Sequence, residues 1–178
     1  MTPELLEVYN FAKNAHENQY RHAEVPYITH CIHVCDIVEN FRNVEDFDLI
    51  VAQKIALLHD TIEDTNVSYN DVKNKFGKAV ADGVLALTKN YNLDKILRLK
   101  DSLERSIKTS KETVIVKLAD RADNIKIINP NWSKEKAISY LEDSKIIYST
   151  LSPYAKNLIP FLNKSLSHYE NLIKKYYK

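Results

Sequence analysis

The stretch His59-Asp60-Thr61-Ile62-Glu63-Asp64-Thr65 packs one imidazole and three carboxylates into about a turn and a half of helix. At ~100° per residue, Asp60, Glu63 and Asp64 fall at about 100°, 40° and 140° from His59, which predicts one helical face carrying all four. Acids this close repel one another unless a cation sits among them, and a divalent metal is the simplest partner. The preceding Ile55-Ala56-Leu57-Leu58 is apolar and reads as core. The acidic face therefore opens where a buried helix emerges into a cleft.

A complete ligand shell needs donors from other helices, and two candidates stand out. His30 lies at the start of a second helix. Asp120 ends Val116-Lys117-Leu118-Ala119-Asp120, an apolar segment that turns polar at Asp120-Arg121. Two imidazoles and two carboxylates suit a borderline-hard ion with positions left open for water and a phosphate oxygen. Cys31 and Cys35 are four apart, which stacks them on one helix face as small core hydrophobes rather than as a Cys-x-x-Cys site.

The order His, His-Asp, Asp resembles the pattern of the HD-domain metal-dependent phosphohydrolases. More narrowly, Pro26-Tyr27-Ile28-Thr29-His30, the block His59 to Thr65, and Val116 to Arg121 with Asn124 are similar to the RelA/SpoT-type (p)ppGpp hydrolases. That branch includes the free-standing small alarmone hydrolases. A lone His-Asp pair is common by chance, but the extended block with the other motifs in order is specific. The likeness runs from about His16 to Asn129, and the remainder leaves no room for a synthetase domain.

The resemblance implies one Mn²⁺, with other divalent metals possible, bound by His30, His59, Asp60 and Asp120. It assigns Glu63 and Asp64 to catalysis without settling which is base and which is acid. It also places Arg21 beside the nucleotide base and Asn124 at the ribose. Three positions depart from the common pattern. His22 stands where many members have lysine, Ile127 where some have threonine, and Thr29 where asparagine or isoleucine is more usual. The departures touch the base pocket and leave the metal chemistry alone.

The activity implied is hydrolysis of the 3′-pyrophosphate of ppGpp or pppGpp to GDP or GTP and pyrophosphate. Two alternatives stay open: an HD phosphohydrolase for another substrate, such as a nucleotide or NADPH phosphatase, and a non-catalytic module that senses a nucleotide.

The elements that must position these residues read as all-α, a single HD-domain helical bundle over residues 1–178. The metal-site core spans about 16–129 and the C-terminal helices 134–176. Only 2 glycines and 5 prolines interrupt the 3.6-residue periodicity. Helices are expected near 3–18, 29–42, 46–61, 69–76, 78–89, 93–109, 111–128, 134–150 and 154–176. Thr29 and Ser133 are expected N-caps, with Glu135 in the first turn after Ser133. Tyr27 is expected to pack in the core. Leu158, Leu162, Leu166, Tyr169 and Leu172 form a stripe for packing on the chain's own domain.

The balance of 25 basic and 24 acidic residues gives a net charge of +1 and no global field toward nucleic acid or an anionic membrane. The start of the chain lacks the pattern of a signal peptide and no apolar run suits a membrane span, so a cytoplasmic protein acting on a small guanine nucleotide is expected. The sequence carries no signal for an oligomeric state.

Overall fold

The computed structural model describes residues 2–21 and 24–178; His22, one of the three departures, lies outside the described residues. Those residues form ten α-helices: α1 (Pro3–Ala15), α2 (Ile28–Phe41), α3 (Leu49–Leu58), α4 (Thr61–Asp64), α5 (Tyr69–Phe76), α6 (Lys78–Leu87), α7 (Lys95–Thr109), α8 (Lys111–Asn124), α9 (Lys134–Leu151) and α10 (Ile159–Tyr176). An isolated bridge between Tyr20 and Pro26 is the nearest thing to sheet among the described residues. The fold is the all-α bundle that the periodicity predicts. Among the described residues, no helix is long and apolar enough to cross a membrane.

α2, α3 and α8 pack on one another at the centre, with α6 laid against α3 and α8, α1 against α3, and the α9–α10 pair against α8. α3 is apolar nearly all round, and Ala52, Ile55, Ala56, Leu57 and Leu58 are fully buried, as expected of a helix enclosed on every side. α8 contributes Val114, Ile115, Val116, Leu118 and Ala119 to the same core. Cys31 and Cys35 are free and buried within it. The start of α2 meets the ends of α3 and α8, so every polar group of interest sits at one end of this central trio.

α9 begins where expected, with the Ser133 hydroxyl accepting from the Lys136 N–H and Glu135 in the first turn. Leu158, Leu162 and Tyr169 are buried, with Leu166 and Leu172 partly so, and α10 packs on α9. The stretch expected as one helix from 154 opens instead with two 3₁₀ turns, Ser152–Tyr154 and Lys156–Leu158, before α10 starts at Ile159. Pro153 cannot donate into the end of α9, which forces the break. The first helix stops at Ala15 rather than 18, because His16 leaves helical geometry and Asn18 takes φ 64°.

Thr29 is not an N-cap. α2 starts at Ile28, and the Thr29 hydroxyl donates to the Pro26 carbonyl at 2.8 Å. The most consequential correction concerns the helix expected over 46–61 and its polar extension. α3 ends at Leu58 and α4 restarts at Thr61, so His59 and Asp60 lie in a turn rather than on one continuous helical face. The His59 Nδ1 takes the Ala56 carbonyl (2.8 Å) and the Thr61 hydroxyl takes that of Leu58 (2.7 Å). These side chains cap carbonyls that the helix would leave orphaned, and Asp60 relaxes to φ −101°, ψ −3°.

Close packing also shows at Gly83 in α6, where an added Cβ would overlap Ile55 Cδ1 and lie 2.9 Å from Ile55 Cγ1 and 3.1 Å from Thr113 Oγ1. Gly83→Ala is expected to destabilise the chain by about 1–3 kcal/mol through overpacking of α6 on α3 and α8, read as a lower urea midpoint at unchanged slope.

Candidate active site

The turn at His59-Asp60 aims both side chains into the end of the bundle, where α2 delivers His30 and α8 delivers Asp120. His30 Nε2 and His59 Nε2 are 3.2 Å apart. Asp60 Oδ2 lies 2.9 Å from His59 Nε2 and 3.8 Å from His30 Nε2. Asp120 Oδ1 lies 3.3 Å from His30 Nε2 and 3.8 Å from His59 Nε2. The four residues expected around one ion thus converge, with both imidazoles buried and the two carboxylates largely so.

The chemistry of this donor set fits a divalent cation. His30 Nδ1 faces the Asp123 carboxylate at 2.7 Å and His59 Nδ1 faces the Ala56 carbonyl at 2.8 Å. Both partners accept from the protonated Nδ1, so in the neutral rings each Nε2 presents a lone pair. Two lone pairs 3.2 Å apart, flanked by two carboxylates, form a cluster of acceptors that a metal ion or, in its place, an added proton reconciles. His30, His59 and Asp60 offer donor atoms all within 4.8 Å of one another.

Asp123 is a functional residue that the sequence reading missed. It is 4% exposed, and besides orienting His30 it accepts from Arg21 Nη1 at 3.1 Å and Lys126 Nζ at 3.0 Å. Arg21 Nη2 also donates to Asn124 Oδ1 (2.9 Å), and Asn124 Nδ2 to Asp120 Oδ1 (2.6 Å). Arg21 and Asn124 are therefore wired to the convergent His30, His59, Asp60 and Asp120 cluster through Asp123 and Asp120. Tyr27 does more than fill the core, because its hydroxyl donates to Asp60 Oδ2 at 2.6 Å. Burial and the Asp60 charge hold that phenol well above its ordinary pKa, so it stays a donor.

Glu63 and Asp64 follow in α4. The Glu63 carboxylate is pinned by the Lys89 backbone N–H at 2.8 Å, by the Lys89 ammonium, and by the Tyr91 hydroxyl at 3.2 Å. Partial desolvation at the cleft edge, together with the charges of Asp60 and Glu63, raises the Asp64 carboxyl. Both line a cleft of about 330 Å³ with His30, His59, Asp60 and Asp120, and with the cations Lys89, Lys117 and Arg121. A second cleft of about 210 Å³ is walled by Tyr20, Arg21, Trp132 and Ile127, and shares Tyr27, Asn124 and Tyr140 with the first. The pair could seat a phosphate chain in one and an aromatic ring in the other.

The HD-domain family model matches residues 9–153, a span that includes every residue named in both clefts. The chain belongs to the HD-domain family. Within it the chain is MESH1-like. It is 36% identical over 148 residues to the guanosine-3′,5′-bis(diphosphate) 3′-pyrophosphohydrolase MESH1 of Danio rerio, covering 79% of this chain and 80% of that one. It is 33% identical over 158 residues to the bifunctional (p)ppGpp synthase/hydrolase SpoT of Escherichia coli, covering 83% of this chain and 21% of that longer protein. The solved structure of a metazoan orthologue of SpoT, which hydrolyses ppGpp and plays a role in starvation responses, matches with a TM-score of 0.83 at 28% identity. The match covers 97% of this chain and 98% of that one.

In this HD site, protons and a metal compete for the same atoms. Burial alone drives the His30 imidazole down, but hydrogen bonds to Asp120 and Asp123 outweigh it and hold the group at about 9. Burial likewise opposes the charge of Asp60 and Asp120, yet neighbouring His59 for the first and His30 and Lys117 for the second keep both carboxyls well below the usual range. A raised histidine is protonated at pH 7 and must lose that proton to bind a metal. Calorimetry in buffers of different ionisation enthalpy should show proton release on metal uptake, with affinity rising up to about tenfold per pH unit and levelling near pH 9. By the same sign, stability from charged His30 in the metal-free chain is full below its ordinary 6.5 and fades as pH rises through about 9.

Proposed function

We propose that this chain hydrolyses the 3′-pyrophosphate of ppGpp or pppGpp, releasing pyrophosphate and GDP or GTP, with one Mn²⁺ held by His30, His59, Asp60 and Asp120. The observation that carries the reading is the meeting of those four donors, from two separate helices and a turn, in one cleft with Glu63 and Asp64. Relatives named for this activity, alike over about four-fifths of the chain, support it. A bound divalent ion supplies Lewis acidity toward a phosphoryl oxygen and makes water a stronger acid near neutral pH.

The chain's own side chains do the rest. Asp123 and the Ala56 carbonyl fix both imidazoles with Nε2 turned inward, and the Tyr27 hydroxyl holds Asp60. Asp64, whose proton affinity is raised by partial desolvation and by its acidic neighbours, takes the proton from the attacking water. Glu63, held by Lys89 and Tyr91, stands beside it to serve the departing 3′-oxygen, with the Lys89 ammonium as the nearest source of a proton. Arg21 and Asn124, in the aromatic-walled cleft, receive the base and ribose, where a guanidinium can stack on a ring and donate from its edge.

The test is product stoichiometry. Purified chain incubated with Mn²⁺ and ppGpp should release pyrophosphate and GDP in equal amounts without orthophosphate. Intact ppGpp would remove the assignment, and orthophosphate as the product would give the site to a phosphatase instead.

A further inference from the structure

Arg121 is a half-buried cation without an anion among the described residues. Its Nε and Nη1 are enclosed by protein and have no hydrogen-bond acceptor among the described residues, and no Asp or Glu oxygen there comes within ion-pair distance. The guanidinium instead sits over the Tyr140 ring, its Cζ 4.1 Å from the centroid. The other cations around the two clefts have partners: Lys89 has Glu63, Arg21 has Asp123 and Asn124, and Lys117 is 3.8 Å from Asp120.

Arginine cannot escape burial by losing its proton, and enclosing two of its three nitrogens without an acceptor is unfavourable. Stacking on an aromatic face recovers only part of that. An arrangement this costly persists in a native chain when a ligand supplies the missing acceptor.

The position identifies the ligand. Lys117, Asp120, Arg121 and Asn124 occupy the i, i+3, i+4 and i+7 positions of α8, a single stripe along the cleft wall. Asn124 is shared with the aromatic-walled cleft, whereas Lys117 and Arg121 belong only to the one lined by the metal-site residues. A planar fork of N–H donors fits the oxygens of a phosphate in a bidentate manner, which a point-charge ammonium does not.

Resting on the substrate reading above, we infer that Arg121 clamps the terminal phosphate of the 3′-pyrophosphate, the part that leaves as pyrophosphate. Its role is specificity: it separates a diphosphate from a monophosphate at the same ion, because a single phosphate at the metal site leaves the clamp empty.

The experiment compares wild type, Arg121→Met and Arg121→Lys, each saturated with Mn²⁺, by calorimetric titration with inorganic pyrophosphate and with orthophosphate in excess manganese. Arg121→Met keeps an apolar stem against Tyr140 and removes the charge. It should weaken pyrophosphate binding by about 10–100-fold while orthophosphate binding stays within about threefold. Arg121→Lys should recover part of the loss. The thermal midpoint of ligand-free Arg121→Met should equal or exceed that of wild type, since the variant relieves an uncompensated charge, whereas a structural arginine would lower it. Unchanged pyrophosphate affinity in Arg121→Met, equal loss of both anions, or no measurable pyrophosphate binding by wild type would each overturn the inference. Its failure is distinguishable from that of the substrate reading. Pyrophosphate bound through Arg121 by a chain that leaves ppGpp intact keeps the clamp and removes the substrate. Full ppGpp turnover by Arg121→Met does the reverse.

Discussion

Asp64→Asn should lower kcat for ppGpp by about 10²–10⁴-fold and leave the bound ion in place. Asparagine keeps the shape of the side chain and its place after Glu63 in α4, but its amide cannot accept a proton at neutral pH. The native carboxyl is prepared for that task by its surroundings: partial desolvation at the cleft edge comes first, then the negative charges of Asp60 and Glu63, all of which favour its protonated form. Because Asp64 is outside the convergent set formed by His30, His59, Asp60 and Asp120, metal content should remain that of wild type. Turnover by stopped-flow or product release, with metal quantified on the same sample, reads both halves. Undiminished kcat would take the proton transfer away from Asp64, and loss of the ion would make it a ligand.

His30→Gln has the opposite profile and the larger effect on the metal. Replacing a partner one shell out typically weakens a metal by about 10–100-fold, so removing a donor itself should exceed about 100-fold, and hydrolysis should fall with occupancy. The variant should still fold. Asp123, which loses the His30 contact, keeps Arg21 at 3.1 Å and Lys126 at 3.0 Å, so no buried carboxylate is stranded. The signature is partial recovery of rate at high Mn²⁺, which Asp64→Asn would not show. Manganese affinity equal to that of wild type would exclude His30 from the centre.

The positions of the long helices were legible because each buries one face, and the switch from Ile55-Ala56-Leu57-Leu58 to His59-Asp60 marked where a core helix opens on a cleft. His30 and Asp120 were legible as a pattern, each being a potential ligand at the polar end of an apolar helix. The interruption at His59-Asp60 was not, because it arises when the His59 and Thr61 side chains compete for the carbonyls of α3, a local choice that periodicity does not register.

Asp123 escaped notice for another reason. It sits three residues beyond Asp120 and its partner His30 is 93 residues away, so only the packing of α2 on α8 reveals the pair. The signal available was an acid at i+3 from a ligand on the same helix. Tyr27 was read by its ring when its hydroxyl is what reaches Asp60. Arg121 resembled any charged helix residue until its unsatisfied nitrogens and the Tyr140 face were in view.

The central claim is that four side chains from distant parts of the chain hold a single catalytic ion. Anomalous diffraction at the manganese edge, on crystals soaked in Mn²⁺, tests it most directly. One strong peak per chain within about 2.0–2.4 Å of His30 Nε2, His59 Nε2, Asp60 and Asp120 is the expected result. A well-ordered crystal with no peak there, or with the ion held elsewhere, would contradict it.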